Sequence, residues 1–410
     1  MSSLGTSLAS GARHAATPAA GRLVMALLER LHSGALALTT PDGVTRRFGP
    51  GGPVGGFARG AELRLRDWAV CRNVIVGGDV AFAESYMDGR WETTDLLALL
   101  TLMACNQRAL EHAFYGRRWQ QLVFRLRHLL RSNSRHRAPR NIAAHYDLGN
   151  EFYGLWLDPS MTYSAALFEG DMTRSLAAAQ EAKYARVLRQ IGASEQGQLL
   201  ELGCGWAGLV ETAARAGWHV TGVSLSGAQT AYARDRVARA GCADRASLRL
   251  QDYRDVTGHY DGVASIEMFE AVGERYWPAY FRTVRRALKP GARACIQTIT
   301  IADERFAQYR RGSDFIQQYI FPGGMLSSPS RFVAEANRAG LEVDEVYNFG
   351  HDYAETLKRW LSAFDARLDA MRAQGFDDRF IRCWRFYLAY CAAGFASKTT
   401  DVAQYALSAA

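Results

Sequence analysis

The chain has 410 residues, 48% of them hydrophobic, enough for two domains with real cores and too apolar for a disordered chain. Its net charge of +8 suits nucleic acid, an anionic membrane or an acidic partner. No apolar run reaches the ~18–20 residues of a spanning helix. Seven scattered cysteines without a CxxC pair argue against a zinc site and fit reduced thiols in the cytoplasm.

Residues 1–20 are rich in Ser and Ala, without an apolar stretch, and are expected to form a flexible tail and not a signal peptide. A small α+β N-terminal domain is expected over residues 21–110. It opens with a helix near Arg22–Leu31 and continues through strands and turns to Gly78, with turn chemistry at Pro41-Asp42-Gly43 and Pro50–Pro53. Helical patterns follow at Ala83–Met87 and Thr94–Asn106.

Residues 111–140 read as a basic amphipathic linker helix. From His112 to Tyr146 there is no Asp or Glu, while arginines recur from Arg117 to Arg140 and Trp119, Leu122, Leu126 and Leu130 fall at helical spacing. Such a helix suits the surface of an anionic bilayer, or packs on its own protein. No nucleic-acid-binding motif accompanies it.

From residue 141 to 410 short apolar strands alternate with helices. Strands are expected at Leu199–Leu202, Val220–Ser224, Ser247–Gln251, Gly262–Glu267, Ala292–Thr298 and Val343–Asn348. Helices are expected at Ser175–Ile191, Leu209–Ala216, Ser226–Ala240, Trp277–Leu288 and Pro329–Ala339, and the last third, Glu355–Ala409, reads as helical. The alternation implies an α/β, doubly wound parallel sheet that binds its ligand at the carboxyl ends of the strands.

The first of these strands runs into Gly203-Cys-Gly-Trp-Ala-Gly208. This GxGxxG spacing lets backbone N–H groups approach a cofactor, and nucleotide, flavin and S-adenosylmethionine (SAM) sites share it. A dinucleotide site wants a carboxylate ~20 residues on; Gly222-Val-Ser-Leu-Ser226 has none. Glu201, two residues before Gly203, instead resembles the first motif of class I SAM-dependent methyltransferases, where a carboxylate suits the cofactor's positive charges. Glu201 as a salt-bridged strand residue is the plainer alternative. Ser224, Ser226 and Gln229 offer neutral hydrogen bonds to the ribose or methionine part, with Ser226 equally suited to capping a helix. Asp252 and Tyr253 follow the third strand, where one accepts from the adenine and the other stacks on it.

Eight ordered motifs carry a more specific resemblance. They are Ala144-His-Tyr-Asp-Leu-Gly-Asn150, Leu157-Asp-Pro-Ser-Met-Thr-Tyr-Ser164, Leu202-Gly-Cys-Gly-Trp206, Gln251-Asp-Tyr-Arg-Asp255, Met268-Phe-Glu-Ala-Val-Gly273, Tyr319-Ile-Phe-Pro-Gly323, Asn348-Phe-Gly-His-Asp-Tyr353 and Cys391-Ala-Ala-Gly-Phe395. With them the chain resembles the cyclopropane-fatty-acyl-phospholipid synthases, including the mycolic acid cyclopropane synthases. The resemblance implies a Rossmann-like class I SAM-methyltransferase sheet, a small N-terminal lipid-associated domain and helices added over an acyl pocket. It implies SAM as methyl donor and the cis double bond of an unsaturated phospholipid acyl chain as acceptor. Carried over residue by residue, Tyr163, Ser164, Gly203, Cys204, Gly205, Ser224, Gln229, Asp252 and Tyr253 line the SAM site. Tyr353, Tyr319 and Phe269 are candidates to face a carbocation, each with core packing as the alternative.

In the family a bound bicarbonate takes the proton that closes the ring, held by Glu, Cys, His and Tyr side chains and by backbone groups. Here Glu270 and Tyr353 keep two of these positions, while Gln297 replaces a His, Ala165 a Cys and Ala271 a second His. An anion in a dry pocket depends on such donors, each worth about 1.5–3 kcal/mol, so the bicarbonate site reads as altered or lost. Cyclopropane and a methyl-branched or methylene unsaturated chain therefore both remain as products, and a non-catalytic lipid-binding paralogue is the reading from another class. Cys391 matches a family cysteine and has no neighbouring His in sequence to activate it. No metal site is expected. The resemblance and the basic segment together imply peripheral association with the cytoplasmic face of an anionic membrane, with a homodimer possible and no nucleic acid.

Overall fold

The computed structural model describes residues 17–56, 60–114, 148–192 and 196–409. The expected tail falls largely outside these, although helix α1 (Ala19–Leu28) begins within it. The basic segment lies outside the described residues beyond Phe114, where α4 (Gln107–Phe114) ends.

The N-terminal part carries a four-stranded sheet in the order β2-β1-β3-β4, with β1 (Gly34–Thr39), β2 (Thr45–Gly51), β3 (Ala61–Leu65) and β4 (Trp91–Glu92). Alternation in β1 turns Leu36 and Leu38 inward. Between β3 and β4 runs α2 (Ala69–Met87), broken at Gly78, whose φ of +64° suits a residue without a side chain. Helix α3 (Leu96–Cys105) starts where the Asp95 side chain accepts from Ala98 N at 2.8 Å. It is apolar on every side and accordingly buried.

What buries α3 is the C-terminal helix α14 (Asp378–Ala396). Leu36, Trp91 and Leu99 share one core with Trp360, Trp384 and Leu388. Arg382 on α14 donates to the carbonyls of Tyr86, at 2.5 Å, and Trp91, at 3.1 Å. The N-terminal sheet is thus packed as part of the wall of the larger unit.

The larger unit is built on seven strands in the order β10-β11-β9-β8-β5-β6-β7. They are β5 (Gln198–Leu202), β6 (His219–Ser224), β7 (Ala246–Leu250), β8 (Tyr260–Ile266), β9 (Leu288–Ile301), β10 (Leu341–Asn348) and β11 (Thr400–Ala409). After the short α5 (Asn150–Gly154), helices α6 (Leu176–Ile191), α7 (Gly208–Arg215) and α8 (Gly227–Arg239) cover one face; α9 (Trp277–Ala287) and, beyond the short α10 (Asp303–Tyr309), α11 (Pro329–Arg338) cover the other. Period-2 alternation divides each central strand between the faces: in β9, Ala294 and Ile296 join one core and Cys295 the other.

The sheet is not wholly parallel, and the last third is not wholly helical. After α12 (Gly350–Asp365), α13 (Leu368–Ala373) and α14, strand β11 inserts antiparallel between β9 and β10. Val402 to Leu407 is buried on both faces. Such a strand shows no apolar alternation, and its alanines read as helix formers.

Candidate active site

The glycine turn sits at the carboxyl end of β5. Gly203 and Gly205 have φ of +79° and +50°, and the N–H groups of Gly203 and Cys204 both donate to Val223 O at 3.0 Å. A Cβ on Gly203 would stand 2.8 Å from Met268, and one on Gly208 would collide with Tyr184 Oη. The turn therefore requires glycine for both conformation and clearance.

It opens on a cavity of about 460 Å³. Gly203, Cys204, Gly205, Ser224 and Gln229 form one wall, with Tyr163, Ser164 and Tyr253 nearby. Ser224 Oγ lies 3.3 Å from Gln229 Oε1, and Ser226 caps α8 by accepting from Gln229 N at 3.2 Å. Tyr163 shares a 2.5 Å hydrogen bond with Tyr387 of α14. The Asp252 carboxylate grips Arg254, accepting from Nε at 2.8 Å and Nη2 at 2.5 Å. Gln251, Tyr253 and Arg254 reach the wall from that loop.

Across the cavity stands a carboxylate that sequence reasoning passed over. Glu267 follows β8 with φ of +49°, a left-handed conformation that costs a non-glycine residue about 1–2 kcal/mol. Its Oε1 accepts from Ala165 N at 2.8 Å and Gln297 Nε2 at 2.7 Å, and its Oε2 from Tyr353 Oη at 2.6 Å. Gln404 in turn donates to Gln297 Oε1 at 3.0 Å, which fixes the orientation of that amide. Thus Ala165, Gln297 and Tyr353, three of the positions expected to surround bicarbonate, all donate to a side chain of the protein. The residues present do not fit a bicarbonate as well.

Glu270 is three residues on. Its Oε1 accepts from Thr298 Oγ1 at 3.0 Å and from the backbone N–H of Ile299, while its buried Oε2 has no partner among the described residues. Burial, and then the charge of Glu267, push its carboxyl up to about 8. Glu267 is also raised by burial, but Tyr353, Ala165, Lys183 and Gln297 act against this. Burial favours the neutral form of both carboxyls, and of the two Glu267 is the one whose hydrogen-bond donors and neighbouring ammonium favour ionisation. Glu201 is buried beneath the glycine turn with no ion pair among the described residues, and burial raises it to about 8.

Cys391 lines the cavity with its thiol pushed up by burial, the opposite of an activated nucleophile. Phe269 is turned into an aromatic cluster with Trp277, Tyr280 and Phe281, away from the cavity. Tyr319 donates to Glu84 at 2.5 Å, binding the N-terminal part. Tyr387, Phe321 and Phe395 are among the aromatic residues that line the cavity with Tyr353, the last 4.5 Å from Tyr353 between ring centroids. Among the described residues no cluster of metal-ligating side chains occurs, and no helix is long and apolar enough to cross a membrane.

A seven-stranded α/β sheet with this glycine turn defines a class I SAM-dependent methyltransferase. Open glycine backbone, uncharged Ser224 and Gln229, and the buried carboxyl of Glu201 near the turn fit that cofactor. The match to mycolic acid cyclopropane synthetase extends over residues 133–405, and the chain belongs to that family. It is 39% identical to a tuberculostearic acid methyltransferase (UfaA1) of Mycobacterium tuberculosis, over 83% of this chain and 81% of that one. It is 31% identical to the cyclopropane-fatty-acyl-phospholipid synthase of Escherichia coli, over 85% and 88%. The mycolic acid cyclopropane synthase CmaA1, complexed with S-adenosylhomocysteine and CTAB, superposes with a TM-score of 0.61 at 30% identity, over 66% of this chain and 97% of that one.

Proposed function

We propose that the enzyme methylates the cis double bond of unsaturated acyl chains in membrane phospholipids and releases a methylene or methyl-branched unsaturated chain. The observation that carries this reading is the convergence of Ala165 N, Gln297 and Tyr353 on Glu267. SAM, when bound, would supply an electrophilic methyl group, the electron pair of the broken S–CH3 bond staying on sulfur to leave a neutral thioether. The chain's task is to hold an alkene, a poor nucleophile, against it in a dry cavity.

The alkene π pair forms the new carbon–carbon bond and leaves a cation on the neighbouring carbon. The aromatic faces of Tyr353 and Phe395 are placed to stabilise it. A hydride shift moves the cation to the methyl-bearing carbon. Glu267 then takes a proton, from the methyl group to give a methylene or from the chain to give a methyl-branched alkene. The electrons of the broken C–H bond become the new double bond. The likeness to a tuberculostearic acid methyltransferase favours this outcome over ring closure.

The test is incubation with methyl-labelled SAM and vesicles of a cis-monounsaturated phospholipid. The expected acyl product is heavier by one CH2 and takes up H2 on mild hydrogenation. A product that resists it is a cyclopropane and overturns the product assignment; an unlabelled lipid overturns the activity. The basic segment that follows α4 supports docking on an anionic, cytoplasmic membrane face.

A further inference from the structure

Lys183, on α6, is 0% exposed. Its Nζ donates to Ser164 Oγ at 2.6 Å and lies 4.2 Å from the centroid of the Tyr184 ring. It makes no ion pair among the described residues. One turn earlier, Gln180 donates to Ser164 O at 2.9 Å, so α6 grips both polar ends of that residue. Burying an ammonium without an ion-pair partner costs several kcal/mol, far more than one hydrogen bond to a hydroxyl returns.

The compensation comes from the charge of acidic groups around it that make no ion pair with it among the described residues. Those acting on Lys183 are Glu267 after β8, Asp158 before Ser164, and Glu201 on β5; Tyr184 is its neighbour on α6. Burial outweighs them and brings the amine down to about 7. Ser164 is followed by Ala165, whose N–H donates to Glu267 Oε1. Lys183 thus reaches Glu267 by two routes: its charge, and its hold on the segment that supplies one of the three donors.

We infer that Lys183 is a positioning residue that keeps Glu267 an oriented carboxylate, ready to take the proton in the last step. This rests on the proposed function, in which Glu267 is the base. Without the ammonium, Glu267 protonates more readily. The rate, which needs the ionised form, then falls on the acid side and recovers as the pH rises.

The test compares kcat against pH on vesicles for Lys183→Gln, which keeps a donor to Ser164 but loses the charge, and Lys183→Arg, which keeps the charge. The acid limb of K183Q is expected to move up by about one unit, as removal of a nearby opposite charge does. The limb of K183R stays with the wild type. A K183Q profile lowered by the same factor at every pH overturns the inference and marks Lys183 as structural only. Should K183Q not fold, Lys183→Met gives the same reading, since an apolar side chain of similar volume often replaces a buried charge at little cost in stability. Its acid limb is expected to move up as in K183Q, and an unmoved limb overturns the inference. Glu267→Gln separates the two claims. If E267Q keeps its rate and product, the functional reading fails; if it loses turnover while the limbs above stay put, only the role of Lys183 fails.

Discussion

Tyr353 Oη donates to Glu267 Oε2 at 2.6 Å, joining a helix at the end of β10 to the turn after β8. Tyr353 was expected beside Glu270 and a bound anion, and it meets another carboxylate instead. Hydrogen bonds to charged groups contribute about 1.5–3 kcal/mol, so Tyr353→Phe should lower kcat by about 10- to 100-fold. Because the tyrosine favours the ionised form of Glu267, the acid limb of kcat should also shift upward. SAM affinity by calorimetry should be unchanged.

The left-handed backbone of Glu267 gives a sharper test. Glu267→Gly relieves a conformation costing about 1–2 kcal/mol and removes the carboxylate. Three buried donors lose their acceptor, at about 1–3 kcal/mol each, so the melting temperature should fall, but less than in Glu267→Ala, which keeps the strain, while turnover falls by about 10²- to 10⁴-fold, the usual range for a general base. The variant also frees the donors of Ala165, Gln297 and Tyr353. Added formate or bicarbonate should then restore part of the rate in proportion to its concentration, read as label incorporated into lipid.

Glu270 predicts the pH dependence of stability. Its carboxyl is raised from 4.5 to about 8 in the folded protein. Between those values the native state binds more protons than the unfolded chain, so this group's contribution falls as pH rises. The melting temperature of wild type should decline across pH 5–8 more steeply than that of Glu270→Gln, whose side chain keeps the acceptor for Thr298 and Ile299. Identical slopes in a thermal scan would place the proton elsewhere.

The glycine turn tolerates no side chain. Gly203→Ala places a methyl 2.8 Å from Met268 at φ of +79°, and should cost at least tenfold in SAM affinity by calorimetry, or stability where the turn adjusts. Gly227→Ala, in open space at the start of α8, should leave binding within about threefold.

Membrane docking through the basic segment should be electrostatic. Sedimentation with anionic vesicles should weaken steeply between low salt and about 0.5 M, where the Debye length falls well below 10 Å. Equal binding to neutral vesicles at high salt contradicts that docking mode.

Sequence alone determined the strand–glycine-turn–helix unit at Gly203–Gly208, the central parallel strands and the family, because these are local: period-2 apolar runs, turn residues and contiguous motifs. It misassigned β11, since a strand buried on both faces leaves no alternation to read. It left Tyr319 and Phe269 open between the cavity and core packing, because an aromatic side chain looks the same in sequence whether it faces a core, an interface or a ligand. Only the tertiary structure decided the far wall of the site. Ala165, Glu267, Gln297 and Tyr353 lie on four separate segments, and only folding brings three donors onto one carboxylate. The same holds for Lys183, whose place in its helix is ordinary until α6 is packed against Ser164 and the carboxylates around it.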